Sequence, residues 1–303
     1  MPRIAHLAFF FAAILTIAAN AARADEGSAQ PYSLDGTKVV KFHSDKVNTD
    51  YLLYLGLPRD YETRKESYPV VFVLDADYCF AIVQQITRFL SDHDEVSPLV
   101  VVGIAYPGVA QEKYGPIHKL SRTRDYTPTH LATGGYGAEF QKQSGGANGF
   151  LYFIEHELTP YLESNYRLKH DRTIVGYSYG GLLATYSMLT KPSLFQRYII
   201  VSPSLWYDKH AISRLQKETL SAISNMSANA FFAVGSRERN TYGQERMVGD
   251  LMDFVGKMKE KNCPNFRSML WIAEGETHHS VFPGAAMRGI RFIFSNTQPV
   301  DAH

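Results

Sequence analysis

Cysteine is scarce in this chain of 303 residues, which contains only Cys79 and Cys263. Two cysteines exclude a scaffold built on several disulfides and a zinc site with four cysteine ligands. We expect no disulfide between them, because the sheet predicted below places them near opposite edges. A disulfide requires Cα atoms within about 7 Å of each other.

The chain also lacks an excess of charge of either sign. Lysine and arginine total 31 and aspartate and glutamate total 30, so the composition indicates neither nucleic acid nor an anionic membrane as a partner. Repeats and low-complexity tracts are missing as well, and 45% of the residues are hydrophobic. This composition excludes intrinsic disorder, collagen-like and coiled-coil architectures and allows a sizeable core.

An apolar run at the N-terminus, Leu7–Ala19, is short for a membrane span, which needs about 20 residues. Arg3 precedes it, and Ala22-Arg23-Ala24 supplies small residues two positions apart. This pattern predicts a secretory signal peptide over residues 1–24 and a single mature domain over residues 25–303. We therefore expect a periplasmic or secreted protein without stable membrane insertion; an uncleaved anchor is the alternative.

Short runs rich in β-branched residues alternate with segments of helical period. Eight runs are predicted as strands: Lys38–Phe42, Tyr51–Gly56, Val70–Leu74, Leu99–Ile104, Thr173–Val175, Tyr198–Val201, Phe231–Val234 and Met269–Ala273. From Val70 onward the runs are continuously apolar, which is typical of strands covered on both faces. The sequence therefore predicts an α/β fold with a mostly parallel central sheet and helices on both faces.

One segment, Pro107–Gly149, interrupts this alternation over roughly 40 residues and is rich in glycine. We expect a long loop before the nucleophile strand, because loops beyond about 12–15 residues are usually functional or disordered. It would serve as a lid or substrate wall, or form a partly mobile surface excursion. Its polar and aromatic part, Arg122–Pro128, is suited to line a pocket, whereas the following glycines indicate mobility.

The segment Gly176–Gly181, with the sequence GYSYGG, is the strongest catalytic signal. It lies between the predicted strand Thr173–Val175 and a predicted helix, Leu182–Leu189, which is the setting of a nucleophile elbow. In an elbow the serine occupies a strained turn, and glycines flank it because Cβ atoms do not fit there. We predict Ser178 as the nucleophile; a glycine-rich turn with an idle serine is the alternative.

A serine hydroxyl needs a base that takes its proton. In this kind of site the partners follow in the order nucleophile, acid, histidine, which leaves the four histidines after Ser178: His210, His278, His279 and His303. His303 ends the chain, and His210 comes too early for the final loop. The base is therefore His278 or His279, and spacing alone does not choose between them.

The third catalytic member should be a carboxylate after the strand Phe231–Val234. Glu238 is the first one there, and a glutamate can orient an imidazole as an aspartate does. Asp250 and Asp253 come later, within a predicted helix. A surface ion pair between Glu238 and a neighbouring arginine is the alternative.

Two backbone N–H groups should hold the oxyanion of a tetrahedral intermediate. One belongs to Tyr179, which follows the serine, and the other to Ala76 or Asp77 in the loop after the third strand. The carboxylates of Asp75 and Asp77 must then point away from the developing charge. Because no further ligands accompany this acidic pair, we predict no metal and no cofactor.

From about Tyr51 to Phe294 the chain resembles the esterase D-like branch of the α/β-hydrolases, and within it the periplasmic siderophore esterases that open catecholate trilactones. The matching stretches are Val71–Asp77, Arg122–Pro128, Gly145–Leu151, Gly176–Gly181, Ser202–Trp206 and Gly275–Val281. The family pattern Gly-Glu-x-His-x-Ser-Val implies that His278, rather than His279, is the base. The acid varies in this family, and some members resemble Ser–His dyads, so a dyad without Glu238 is the alternative. The elbow departs from the commoner Gly-His-Ser-Leu-Gly-Gly by its two tyrosines.

The resemblance implies an exported serine carboxylic-ester hydrolase that works through an acyl-enzyme on a small-molecule ester, with a ferric siderophore as a candidate. Such ligands are large, aromatic and anionic, so a pocket for one needs cations and aromatic faces. The expected substrate-binding residues are Arg122, Arg124, Tyr126, Tyr177 and Trp206. The alternatives are an acyltransferase of the mycolyltransferase type and a non-catalytic binding protein on the same fold.

Overall fold

The core of the protein is one sheet of eight strands. The strands are β1 (Thr37–Ser44), β2 (Thr49–Gly56), β3 (Tyr68–Val73), β4 (Val100–Ala105), β5 (Leu168–Tyr177), β6 (Arg197–Val201), β7 (Ala228–Gly235) and β8 (Phe266–Ala273). Their order is β1-β2-β4-β3-β5-β6-β7-β8. The pairs β1–β2 and β2–β4 are antiparallel, and all other neighbours are parallel. Each of the eight predicted runs corresponds to one strand, so the predicted α/β class and mostly parallel sheet are confirmed.

The computed structural model describes residues 32–112, 114–219, 226–239 and 246–295. The chain divides into Met1–Ser33 and a larger compact unit, Leu34–His303. The signal peptide predicted over residues 1–24 lies outside the described residues, so it stays a prediction. No helix within the described ranges is both long and apolar enough to span a membrane.

Helices cover both faces of the sheet. They are α1 (Ala76–Asp92), α2 (Pro116–Tyr126), α3 (Ala138–Gln141), α4 (Ala147–Phe153), α5 (Thr159–Asn165), α6 (Tyr179–Thr190), α7 (Tyr207–Thr219), α8 (Met247–Glu260) and α9 (Val281–Phe294). The central strands alternate their side chains between the faces. Phe72 belongs to the hydrophobic cluster that includes residues of α6 and α8, and Val71 and Val73 belong to the cluster on the other face, which includes residues of α1 and α9. Burial on both faces is the reason why these strands are continuously apolar.

The segment Pro107–Gly149 differs from the long loop that we expected. It contains α2, α3 and the beginning of α4, and its glycines allow close packing of the backbone. A Cβ atom on Gly145 would lie 2.8 Å from the backbone nitrogen of His130, and one on Gly146 would lie 2.6 Å from the carbonyl oxygen of Arg124. The Gly146 N–H also donates to that carbonyl at 2.9 Å. Gly145 and Gly146 therefore allow tight packing of the backbone, and the mobility that we expect of the glycine-rich stretch stays a prediction.

Candidate active site

The turn between β5 and α6 consists of Ser178 alone, since β5 ends at Tyr177 and α6 begins at Tyr179. Ser178 has φ 59° and ψ −117°, a conformation that is sparsely populated by residues other than glycine. A Cβ atom on Gly176 would lie 2.2 Å from the carbonyl oxygen of Gly180, so no larger residue fits there. The strained strand-to-helix turn that the sequence indicates is present, with Ser178 at its tip.

A histidine–carboxylate pair lies at the carboxyl ends of the last two strands. The Nδ1 atom of His278, in the loop between β8 and α9, lies 2.6 Å from Oε2 of Glu238. The other oxygen of Glu238, Oε1, accepts hydrogen bonds from Ser202 Oγ and from the N–H of Gly235, both at 2.7 Å. Glu238 is only 1% exposed. An ionised carboxylate only accepts, so this contact makes Nδ1 the donor and leaves Nε2 as the basic atom of His278.

His279 lies in a different environment from its neighbour. Its Nδ1 atom is 3.4 Å from the hydroxyl of Tyr177, which itself donates to the backbone carbonyl of His278 at 2.6 Å. The rings of Tyr177 and His278 also contact each other, with their centroids 4.9 Å apart and their planes tilted by 34°. Burial raises the pKa of Tyr177, so its hydroxyl remains a donor at neutral pH. The structure thus places His278, and not His279, in contact with Glu238. Tyr177 holds the loop that carries the two histidines.

The loop after β3 carries the two acidic residues of the predicted oxyanion region. Asp77 turns toward the sheet: Oδ1 accepts from the Tyr54 hydroxyl at 3.1 Å and Oδ2 from the Tyr106 N–H at 3.2 Å. Asp75 is buried against α2. Ala76 and Asp77 are the first two residues of α1, and the first N–H groups of a helix have no acceptor within it. The Asp77 carboxylate therefore faces Tyr54 and Tyr106, and the Asp75 carboxylate faces His118 and Arg122 of α2.

Two adjoining cavities of about 280 and 250 Å³ meet at Ser178 and His278. The first lobe is lined by Asp75, Tyr78, Cys79, Ile82, Tyr114, His118, Arg122, Tyr177, Ser178, His278, His279, Phe282 and Pro283. The second lobe is lined by Tyr114, Gly135, Tyr136, Ser178, Tyr179, Ser204, Trp206, Met247 and His278. A larger cavity of about 430 Å³, bordered by Arg59 and Asp92 among others, contains none of these residues. The candidate active site is therefore the two-lobed cleft.

The predicted substrate-binding residues fall into two groups. Tyr177 and Arg122 line the first lobe and Trp206 lines the second. Arg124 and Tyr126 line neither lobe. Arg124 forks onto its neighbour Asp125 at 2.6 and 2.8 Å, and the Tyr126 ring is fully buried.

Arg122 is also placed differently from our expectation. Its side chain is only 2% exposed and holds Asp75 through Nε and Nη2 at 3.0 and 2.9 Å. Burial alone would raise the pKa of Asp75, but the charge of Arg122 and the hydrogen bond from His118 lower it. We expected Arg122 and Arg124 to bind an anionic substrate, but in the structure each guanidinium already pairs with a carboxylate of the protein, Asp75 or Asp125.

Sequence reasoning missed the residues that line the cleft from the segment Pro107–Gly149. Tyr114 borders both lobes and Tyr136 borders the second one, and their hydroxyls lie 2.9 Å apart. Met247, at the start of α8, lines the second lobe as well. The tyrosines in this segment were a visible signal, but only the folded segment shows which of them face Ser178. Among the described residues, no group of three His, Cys, Asp or Glu side chains is placed to hold a metal ion.

Comparisons with known proteins identify the family of this chain. Residues 44–260 match the protein family described as "Putative esterase". The chain is 31% identical over 287 residues to ferri-bacillibactin esterase BesA of Bacillus subtilis, covering 91% of this chain and 96% of BesA. It is 28% identical over 256 residues to a siderophore enterobactin esterase of Emericella nidulans, covering 75% of this chain and 82% of that protein.

Solved structures give the same assignment. The BES protein from Bacillus cereus superposes with a TM-score of 0.75 at 26% identity, covering 88% of this chain and 98% of that one. An IroE-like serine hydrolase from Shewanella oneidensis also gives a TM-score of 0.75 at 27% identity, covering 85% and 80% of the two chains. This chain belongs to the esterase family that the match defines, with an α/β-hydrolase-like fold. It is an ester-hydrolysing enzyme related to siderophore esterases.

Proposed function

We propose that this protein is an exported serine carboxylic-ester hydrolase that forms an acyl-enzyme on Ser178. The observation that carries the proposal is the 2.6 Å contact between His278 and a buried Glu238, at the cleft that Ser178 lines from its strained turn. A nucleophile, a base and a group that orients the base are the three parts that serine ester hydrolysis requires.

In the proposed reaction, Nε2 of His278 accepts the proton of the Ser178 hydroxyl as its oxygen attacks the ester carbonyl. The tetrahedral intermediate collapses to an acyl-serine, and His278 returns the proton to the departing alcohol. A water molecule then attacks the acyl-serine with His278 as base, which releases the acid and restores Ser178. Glu238 holds the imidazole in one tautomer and stabilises its protonated form in both half-reactions.

The negative charge that develops on the carbonyl oxygen needs two preorganised donors. We assign these to the N–H of Tyr179, at the start of α6, and the N–H of Ala76 or Asp77, at the start of α1. Both are helix N-termini, whose partial positive charge favours an anion. Removal of one such donor costs on the order of 10²–10³ in kcat in a comparable hydrolase.

We infer that the substrate is a siderophore-type ester. Relatives over most of the chain are named ferri-bacillibactin and enterobactin esterases, and the two aromatic lobes on either side of Ser178 suit a substrate with bulky groups flanking the scissile bond. Trp206 and Tyr177 contribute one aromatic face to each lobe. The pattern of residues 1–24 supports export to the periplasm or to the outside of the cell, where no nucleic acid partner is expected.

The deciding experiment compares the mature protein with Ser178→Ala on simple acyl esters and on catecholate trilactones, with and without iron. We expect Ser178→Ala to lose activity by about 10³-fold or more and to resist labelling by a fluorophosphonate, while its circular dichroism stays unchanged. Wild-type activity in Ser178→Ala would refute the proposal. Products formed with an added alcohol would distinguish acyl transfer from hydrolysis.

A further inference from the structure

Arg122, which the sequence suggested as a substrate ligand, instead contacts the two loops that supply the proposed oxyanion donors, and the arrangement of these loops explains why that matters. The two loops that supply the proposed oxyanion donors follow adjacent strands, β3 and β5, which pair up to Val73 and Val175. The last backbone link between them is the Leu74 N–H, which donates to Val175 at 3.1 Å. Ala76 and Tyr179 lie beyond that point. Their relative position therefore depends on side chains.

One side of α2 holds the loop after β3. His118, Arg122 and Tyr126 are spaced four residues apart, so they lie along one face of the helix, and all three contact Asp75. His118 Nε2 is 3.2 Å from Oδ1, and Arg122 reaches both carboxylate oxygens. The N–H of Asp75 donates to the Tyr126 hydroxyl at 3.1 Å. Asp75 is fixed at φ 49°, in the left-handed region, directly before the proposed donor Ala76.

The same guanidinium reaches the nucleophile elbow. Its Nη2 lies 3.4 Å from the carbonyl oxygen of Tyr177, and its carbon lies 5.2 Å from the centre of the Tyr179 ring. Asp75 also meets the elbow directly, because a Cβ atom on Gly180 would lie 3.3 Å from Oδ2. The Arg122 guanidinium and the Asp75 carboxylate therefore lie between the backbone of the loop after β3 and the elbow.

We propose that Arg122 is a positioning residue for the oxyanion hole, a role that rests on the function proposed above. Its guanidinium ties the loop of Ala76 to the elbow of Tyr179 and cancels the charge of Asp75 beside the developing oxyanion. Without Arg122, a buried carboxylate would remain near the transition-state charge, and the two donors would lose their common anchor.

The test uses a neutral short-chain ester, so that attraction of an anionic substrate cannot contribute. Arg122→Gln should lower kcat by about 10²–10³-fold and change KM by less than about threefold. Asp75→Asn/Arg122→Gln should recover at least about tenfold of that loss, because it removes the lone carboxylate. Arg122→Lys, which keeps the charge but not the fork, should lie between Arg122→Gln and the wild type.

A matched control is Arg197, which donates two hydrogen bonds to Asp171 at 2.7 and 2.9 Å. This pair lies near the amino-terminal ends of β5 and β6, whereas the active site lies at their carboxyl ends. Arg197→Gln should keep kcat within about twofold, although it breaks an ion pair of the same geometry. Affinity for an aryl trifluoromethyl ketone, which adds to serine as a tetrahedral mimic, should fall in parallel with kcat in the Arg122 variants. Substrate affinity measured in the Ser178→Ala background should not change with Arg122→Gln.

Several results would overturn the role of Arg122. These are a wild-type kcat in Arg122→Gln, a loss confined to KM, or an equal loss in the single and double variants. If Arg122→Gln does not fold, the Asp75→Asn/Arg122→Gln variant provides the test. Its kcat and its affinity for the ketone should both fall by at least about tenfold, and a wild-type kcat would refute the role of Arg122. An inactive Ser178→Ala beside a fully active Arg122→Gln would refute only this inference, whereas an active Ser178→Ala would refute the proposed function.

Discussion

Nδ1 of His278 lies 2.6 Å from Oε2 of Glu238, although the two residues are 40 positions apart in the chain. The contact forms because β7 and β8 are parallel neighbours that pair along their full length. The turns that follow parallel strands meet at the same edge of the sheet. This relationship defines which histidine and which carboxylate the active site would use.

The two adjacent histidines should differ sharply in their importance. His278→Ala should lower kcat by about 10³-fold or more, because it removes the base. His279→Ala should keep most of the activity, because Glu238 pairs with His278, whereas the His279 ring meets the Tyr177 hydroxyl and the edge of the His278 ring. Steady-state kinetics of both variants on one ester provides the check. A larger loss for His279→Ala would show that the base is misassigned by one residue.

Glu238→Gln should be active but slow. An amide retains the shape of the side chain but cannot stabilise the protonated imidazole, so we expect a loss of about 10²-fold in kcat, smaller than that of His278→Ala. The Ser202 hydroxyl and the Gly235 N–H both donate to Glu238 Oε1, so Ser202→Ala should have a weaker effect in the same direction. Activity equal to wild type in Glu238→Gln would indicate a Ser178–His278 dyad.

Trp206 should discriminate between bulky and small substrates. Trp206→Ala should raise KM for an aromatic trilactone by about tenfold, because a large aromatic anchor in a pocket is lost, and should leave a short-chain ester nearly unaffected. Trp271, the only other tryptophan in the chain, packs against Gly284 and Arg288 and lines neither lobe. Trp271→Ala is therefore the control. Equal changes on both substrates would remove Trp206 from the binding site.

Arg124 should matter for stability and not for substrate affinity. Arg124→Ala removes two hydrogen bonds to Asp125, which is fully buried and keeps the hydrogen bond from the Tyr51 hydroxyl at 2.9 Å. We expect a loss of about 1.5–3 kcal/mol in the free energy of unfolding, measured by denaturant titration, with KM unchanged for neutral and anionic esters. A KM that rises only for the anionic ester would restore the substrate-binding role predicted from the sequence.

The strands and the elbow could be predicted from the sequence because the residue patterns that indicate them are local in the chain. A strand buried on both faces must be continuously apolar, as Val70–Val73 is, and a strained serine turn must have glycines around it, as Gly176 and Gly180 show. The helices of the segment Pro107–Gly149 escaped prediction. Its glycines indicated a loop, but at Gly145 and Gly146 the absence of a side chain allows the backbone to lie close to His130 and Arg124.

The sequence by itself determined which runs form strands, the position of Ser178 and the choice of two adjacent histidines, because each depends on neighbouring residues in the chain. Only the tertiary structure decided the partners of the charged side chains. Arg122 and Arg124 read alike in the sequence, but Arg122 is buried on Asp75, whereas Arg124 is partly exposed and pairs with the buried Asp125. A buried charge must find an opposite charge wherever the fold brings one, and in the case of Arg122 that partner lies 47 residues away.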